Sequence, residues 1–153
     1  MLQRVVRAQV TVENTLVAAI QNGLLIYLGV TPTDDPRVAQ HLAERLARLR
    51  IFPDLNGKMN RSLLDVEGEA LVVSQFTLFA DLRRGHRPAF SAAADPVRGR
   101  QLYQLFADEL RRQGVGRVSQ GQFGSHMLVE SVNDGPVTVV ATSSEAPWSA
   151  DCG

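Results

Sequence analysis

The chain has 153 residues, 44% hydrophobic and 21% charged, and its 16 basic and 16 acidic side chains cancel to a formal net charge of zero. That is the composition of one soluble globular domain, able to bury roughly 68–70% of its unfolded surface. It excludes the strong overall basic field of many DNA-binding proteins, while leaving room for a local basic patch.

Nearly all the basic residues are arginine, Lys58 being the only lysine. The single cysteine, Cys152, excludes an intramolecular disulfide and a cysteine-based zinc site. Arg4 and Arg7 interrupt the first residues before any signal-peptide core can form. The longest apolar block, residues 23–30, is far shorter than the ~20 residues of a membrane span. A cytoplasmic protein without membrane contact is expected.

From Leu2 to Val12 the even positions read Leu2, Arg4, Val6, Ala8, Val10 and Val12, which predicts a half-buried strand by period two. Arg4 is the anomaly on its apolar face. If the register holds, it points inward and needs a partner; otherwise a bulge returns it to solvent. Glu13-Asn14 marks a turn into a strand near Leu16–Ile20, and Gln21-Asn22-Gly23 reads as a further hairpin leading to Leu24–Val30. Asp35 and Pro36 supply the cap and first position of a helix whose apolar stripe is Val38, Leu42, Leu46 and Leu49, with His41 on its solvated side.

After a turn at 54–58, Ala70 to Ala80 predicts a buried strand interrupted by polar Ser74, Gln75 and Thr77. A buried polar group without a partner costs roughly 1–3 kcal/mol, so either backbone satisfies these three or the strand walls a pocket. Alternation places Gln75 and Thr77 on one face, and Ser74, Phe76 and Leu78 on the other. The loop at 81–89 holds Arg83, Arg84 and Arg87. Asp95-Pro96 opens a second helix with the stripe Leu102, Phe106 and Leu110, ended by Gly114. Arg117-Val118 starts another extended stretch. Strands follow near Met127–Val132 and Val137–Thr142, with Asn133-Asp134-Gly135-Pro136 between them as a hairpin turn. Residues 143–153 read as a tail.

Familiar catalytic machinery is scarce. There is no nucleophile elbow, phosphate-binding glycine loop or His-Glu-x-x-His helix. The three histidines are dispersed, and His126 with Glu130 is only a weak metal hint, so neither metal nor cofactor is expected. Thr77 has a nucleophilic hydroxyl but no adjoining base. Arg83, Arg84 and Arg87 suit phosphate contact, or simply a solvated loop.

Taken together, Ser74-Gln75-Phe76-Thr77-Leu78 and Asn133-Asp134-Gly135-Pro136-Val137-Thr138 resemble the two signature motifs of the D-aminoacyl-tRNA deacylases. The similarity runs collinearly through Gln3-Arg4-Val5, Gly23-Leu24-Leu25, Leu28-Gly29-Val30, Arg50-Ile51-Phe52, Gly57-Lys58-Met59-Asn60 and Arg87-Pro88, covering residues 1–142. The resemblance implies a single layered α/β domain, with mostly antiparallel and mixed β-sheet and two main helices packed on one side. It also implies a cofactor-free homodimer that hydrolyses the ester of D-aminoacyl-tRNA, as chiral proofreading in translation. Thr77, Gln75 and Phe76 would be catalytic. Ser74, Gly135, Pro136, Met127 and Arg4 would bind substrate, with a cis Gly135-Pro136 peptide entering the partner's pocket and Arg4 holding its loop. Excluding an L side chain cannot reject glycine, so glycyl-tRNA is an expected substrate. The alternatives are an L-alanyl-tRNA-type deacylase of the same fold and a non-catalytic tRNA-binding module. Phe76 within the first motif favours the D-specific branch.

Overall fold

The computed structural model describes residues 1–83 and 85–143, so Arg84, Cys152 and nearly all of the expected tail lie outside the described residues. Strand β1 (Leu2–Val12) is the spine of the sheet. Along one edge it pairs antiparallel with β2 (Thr15–Ile20) and β3 (Gly23–Leu28), and along the other with β8 (Leu128–Val139). Glu13 and Asn14, at φ 48° and 63°, make the tight turn between β1 and β2.

Helix α1 (Pro36–Ala47) follows, then a small antiparallel pair, β4 (Phe52–Pro53) and β5 (Met59–Arg61). Strands β6 (Glu69–Ser74) and β7 (Val118–Gln120) extend the main sheet beside β3, both in parallel. Between them runs α2 (Pro96–Arg112). Among the described residues, no helix is long and apolar enough to cross a membrane.

Two expected hairpins are corrected. Gln21-Asn22-Gly23 does not reverse the chain: Ala8 pairs with Ile20 and Val5 with Gly23, one register on one edge of β1. Likewise Asn133 to Pro136 lies within β8, which meets β1 on both sides of it, at Arg7↔Val132 and Gln3↔Thr138. Both interruptions fall level with Val5, where β1 itself shifts register against β8. That shift also overturns the single inward face expected for β1. Leu2 and Arg4 face one side, Val5, Ala8 and Val10 the other, and Val6 is exposed. At Gly23 backbone touches backbone, because a Cβ there would lie 1.8 Å from the Glu69 carbonyl oxygen.

The two faces of the curled, nearly barrel-like sheet have separate cores. Leu24, Ile26, Ala70 and Val72 pack under both helices with Phe106 and Leu110, whereas Leu25, Leu71 and Val73 join Val5 and Val10 on the other face. Both helices start as expected. Asp35 accepts from Val38 N at 2.9 Å, and Asp95 from Val97 N and Arg98 N at 2.9 and 3.1 Å, each before a proline. The buried face of α1 is turned towards its alanines, Ala39, Ala43 and Ala47 joining Leu46. Small side chains there suit the close approach of α1 to α2.

Candidate active site

The expected strand over residues 70–80 ends early. β6 stops at Ser74, and Phe76–Phe79 form a single 3-10 turn, closed by Leu78 N on Gln75 O and Ala80 N on Thr77 O. Strand alternation therefore does not govern the polar residues. Ser74 sits at the carboxyl end of β6, opposite Leu28 at the end of β3. Such strand ends are where open α/β sheets gather ligands.

A cleft of about 480 Å³ opens there. Ser74, Phe76 and Met127, all expected at the site, line it together, with Phe90, Phe123 and residues 93–96 before and at the start of α2. Phe76 is 56% exposed and meets Phe90 edge-to-face at 5.2 Å. Phe123 packs against Tyr103 at 5.7 Å, and the guanidinium of Arg100 lies 5.0 Å above its ring. Phe90 and Phe123 escaped the sequence reading because only the topology carries them to this strand end. Another hollow, about 300 Å³, lies under α1 among aliphatic residues with Leu78 and Phe79, but it gathers none of the expected site residues.

Tyr103 braces the cleft from behind. Its buried hydroxyl donates to Val72 O at 2.8 Å and also lies within hydrogen-bonding distance, 3.2 Å, of Gly121 O, tying β6 to the segment that carries Phe123. Burial pushes its pKa up to about 12.

Gln75 and Thr77 do not line the cleft but bond each other, the Gln75 amide donating to Thr77 Oγ1. An amide is no base, so this contact orients the hydroxyl without activating it. Gly135 and Pro136 also stand apart from the cleft in their own chain, joined by a cis peptide bond and exposed. Arg4 is buried at 8% exposure, and its side chain reaches their loop. Its Nη1 donates to Ile51 O at 2.6 Å, and its Nε is 2.9 Å from Asp134 Oδ2, an ion-pair contact not aligned as a hydrogen bond. Asn133 braces the loop from within, Oδ1 accepting from Val137 N at 3.0 Å and Nδ2 donating to Thr138 Oγ1 at 3.1 Å.

Of the arginines read as phosphate grips, Arg83 is already paired in two-point contact with Asp81, at 2.9 and 2.7 Å. That pair holds the Asp81 carboxyl below its usual pKa and raises that of Arg83. The metal hint also weakens. His126 precedes β8 rather than lying on it, and Glu130 accepts from Gln9 at 3.1 Å. Among the described residues no cluster of three His, Cys, Asp or Glu side chains is poised for a metal.

The model of the D-Tyr-tRNA(Tyr) deacylase family matches residues 1–142. The chain belongs to this family. A D-aminoacyl-tRNA deacylase of Deinococcus deserti is 57% identical over 138 residues, covering 90% of this chain and 94% of the relative. Another, from Thermomicrobium roseum, is 56% identical over 145 residues, with 95% and 94% coverage. Among solved structures, the c-Myc DNA Unwinding Element Binding Protein superposes with a TM-score of 0.84 at 36% identity, over 90% of this chain and 93% of that one. Family membership makes the protein an enzyme, and its cleft the first place to look for the deacylase chemistry.

Proposed function

We propose that the protein hydrolyses the ester joining a D-amino acid, or glycine, to the 3′ end of tRNA, and that it does so as a homodimer. The observation that carries this is the cleft at the ends of β3 and β6. There Ser74, Phe76 and Met127 of the expected site meet the further aromatic walls Phe90 and Phe123. Exposed phenyl rings are stacking surfaces for an unpaired nucleobase, and a tRNA 3′ end is single-stranded.

An aminoacyl ester is already activated, so positioning and stabilisation of the oxyanion do most of what the reaction needs. In this reading the amides of Phe76 and Thr77 polarise the ester carbonyl, at a turn that no side chain caps. Thr77, oriented by Gln75, positions the substrate, and the ribose 2′-hydroxyl assists the attacking water. Gly135 and Pro136 of the partner subunit close the cleft and leave no room for an L side chain. Support for a loop acting on another chain is its position: it is exposed, internally braced and absent from its own cleft. Exclusion by shape has no purchase on glycine.

The test is deacylation of D-Tyr-, L-Tyr- and glycyl-tRNA side by side. D-Tyr- and glycyl-tRNA should be hydrolysed and L-Tyr-tRNA spared. Inert glycyl-tRNA would defeat selection by exclusion, and tRNA binding without turnover would reduce the protein to a binding module.

A further inference from the structure

We propose that Arg100 binds a backbone phosphate of the tRNA 3′ strand where that strand leaves the cleft. The assignment rests on the proposed function, which seats the terminal nucleotide among Phe76, Phe90 and Phe123.

The net charge of the chain is zero, so no global field draws a polyanion to this opening. Phosphate contact must come from individual cations beside it. Several candidates are occupied. Arg83 is paired with Asp81, and Arg98, in the first turn of α2, donates to the Asp34 carbonyl at 3.1 Å. Arg111 is paired with Asp108 at 2.7 Å. Arg100 is exposed and forms no ion pair among the described residues; its guanidinium lies over the ring of Phe123, a wall of the cleft.

That stack has a chemical consequence. A guanidinium held over a ring by cation–π attraction spends no N–H donor on a hydrogen-bond acceptor, and the donors along its edge keep their planar fork. The edge stays free for two-point contact with phosphate oxygens. Stacking also restrains a long side chain in advance, which lowers the entropy lost on binding. Gly99, the residue before Arg100, faces the same ring and leaves room there, since an added Cβ would come only to 3.5 Å from Phe123.

The experiment measures kcat/KM of wild type, R100A and R100K on D-Tyr-tRNA over a salt series, and on 3′-O-D-tyrosyl adenosine, an ester with the same reacting centre and no phosphate. R100A should lower the tRNA-to-nucleoside ratio of kcat/KM about tenfold at low salt and flatten the log–log salt slope by about 0.7, as loss of one single-strand phosphate contact does. R100K, which keeps the charge, should recover most of that slope. An equal loss on both esters would mean that Arg100 only props Phe123, and overturns the assignment. So does an unchanged slope in R100A while the wild type remains active. A wild type inert on both esters would defeat the reading of the cleft, and this assignment with it.

Discussion

Arg4 shows how far a single side chain was legible. Its place in the apolar alternation of β1 left two outcomes, an inward side chain with a partner or a bulge returning it to solvent; it is inward, and Asp134 and the Ile51 carbonyl are its partners. Its position amid apolar residues posed that choice; the identity of the partners lay 47 and 130 residues away along the chain, beyond local pattern. R4A should lower stability by about 2 kcal/mol, through an unpaired carbonyl and a released loop, read as a shift in urea midpoint. Activity should fall with it, and R4K should restore little, because an ammonium cannot reproduce the guanidinium's separate reach to a carbonyl and a carboxylate. An R4A variant of full activity would confine the arginine to stability. Thr77 gives the opposite expectation. With an amide rather than a base on its hydroxyl, T77A should cost less than about tenfold in kcat, whereas loss of a true nucleophile costs many orders of magnitude. A rapid-quench assay on D-Tyr-tRNA separates the two.

At the scale of elements, capping chemistry was the most readable feature. Asp-Pro pairs announced both helices, and each aspartate accepts the backbone donors its position calls for. D95A should cost about 1 kcal/mol, visible as a fall of about 2–4 °C in the unfolding midpoint. Strand interruptions were misread for a common reason. Gln21-Asn22-Gly23 and Asn133 to Pro136 have the composition of reversing turns, but β1 is long enough to engage the chain on both sides of each. No local window contains that length of partner. The end of β6 was hidden similarly, since Phe76 to Leu78 is a β-forming triplet and only the structure shows it wound into a turn. Gly23 offers a direct check of the close β3–β6 approach. G23A should destabilise by about 3 kcal/mol or more, because its methyl would fall on the Glu69 carbonyl and the parallel ladder must open. Thermal unfolding at wild-type midpoint would contradict that packing.

For the whole molecule, the proposed dimer makes a prediction that no single variant can. A cleft-blocked S74W protomer and a loop-altered P136A protomer should each be inactive. Co-refolded one to one, they should recover about a quarter of wild-type activity, because half the dimers hold one site with both parts intact. Recovery near zero, with mixed dimers verified by mass, would return the loop to its own chain. Global stability carries the signature of Tyr103. Its folded pKa of about 12 exceeds the ordinary value near 10, so the folded state keeps a proton that the unfolded state releases. The stabilisation is complete below pH 10 and is lost as pH climbs towards 12. Y103F should lack that alkaline component, checked by urea unfolding across the same range. Both cores and the sheet order follow from strand patterning together with topology, and topology is what local sequence conceals.

The pairing of Leu2 with Val139 has a further consequence, for how the protein is made. During synthesis, the first strand emerges from the ribosome with one edge bare, and its partner arrives only after almost all the described chain has been translated. Contacts of such sequence separation are slow to close, so the last step of maturation belongs to the released chain, on a scale of about milliseconds to seconds. A growing polypeptide stalled before β8 would contain every wall of the cleft, Met127 being the last of them, and still lack the strand that carries Gly135 and Pro136.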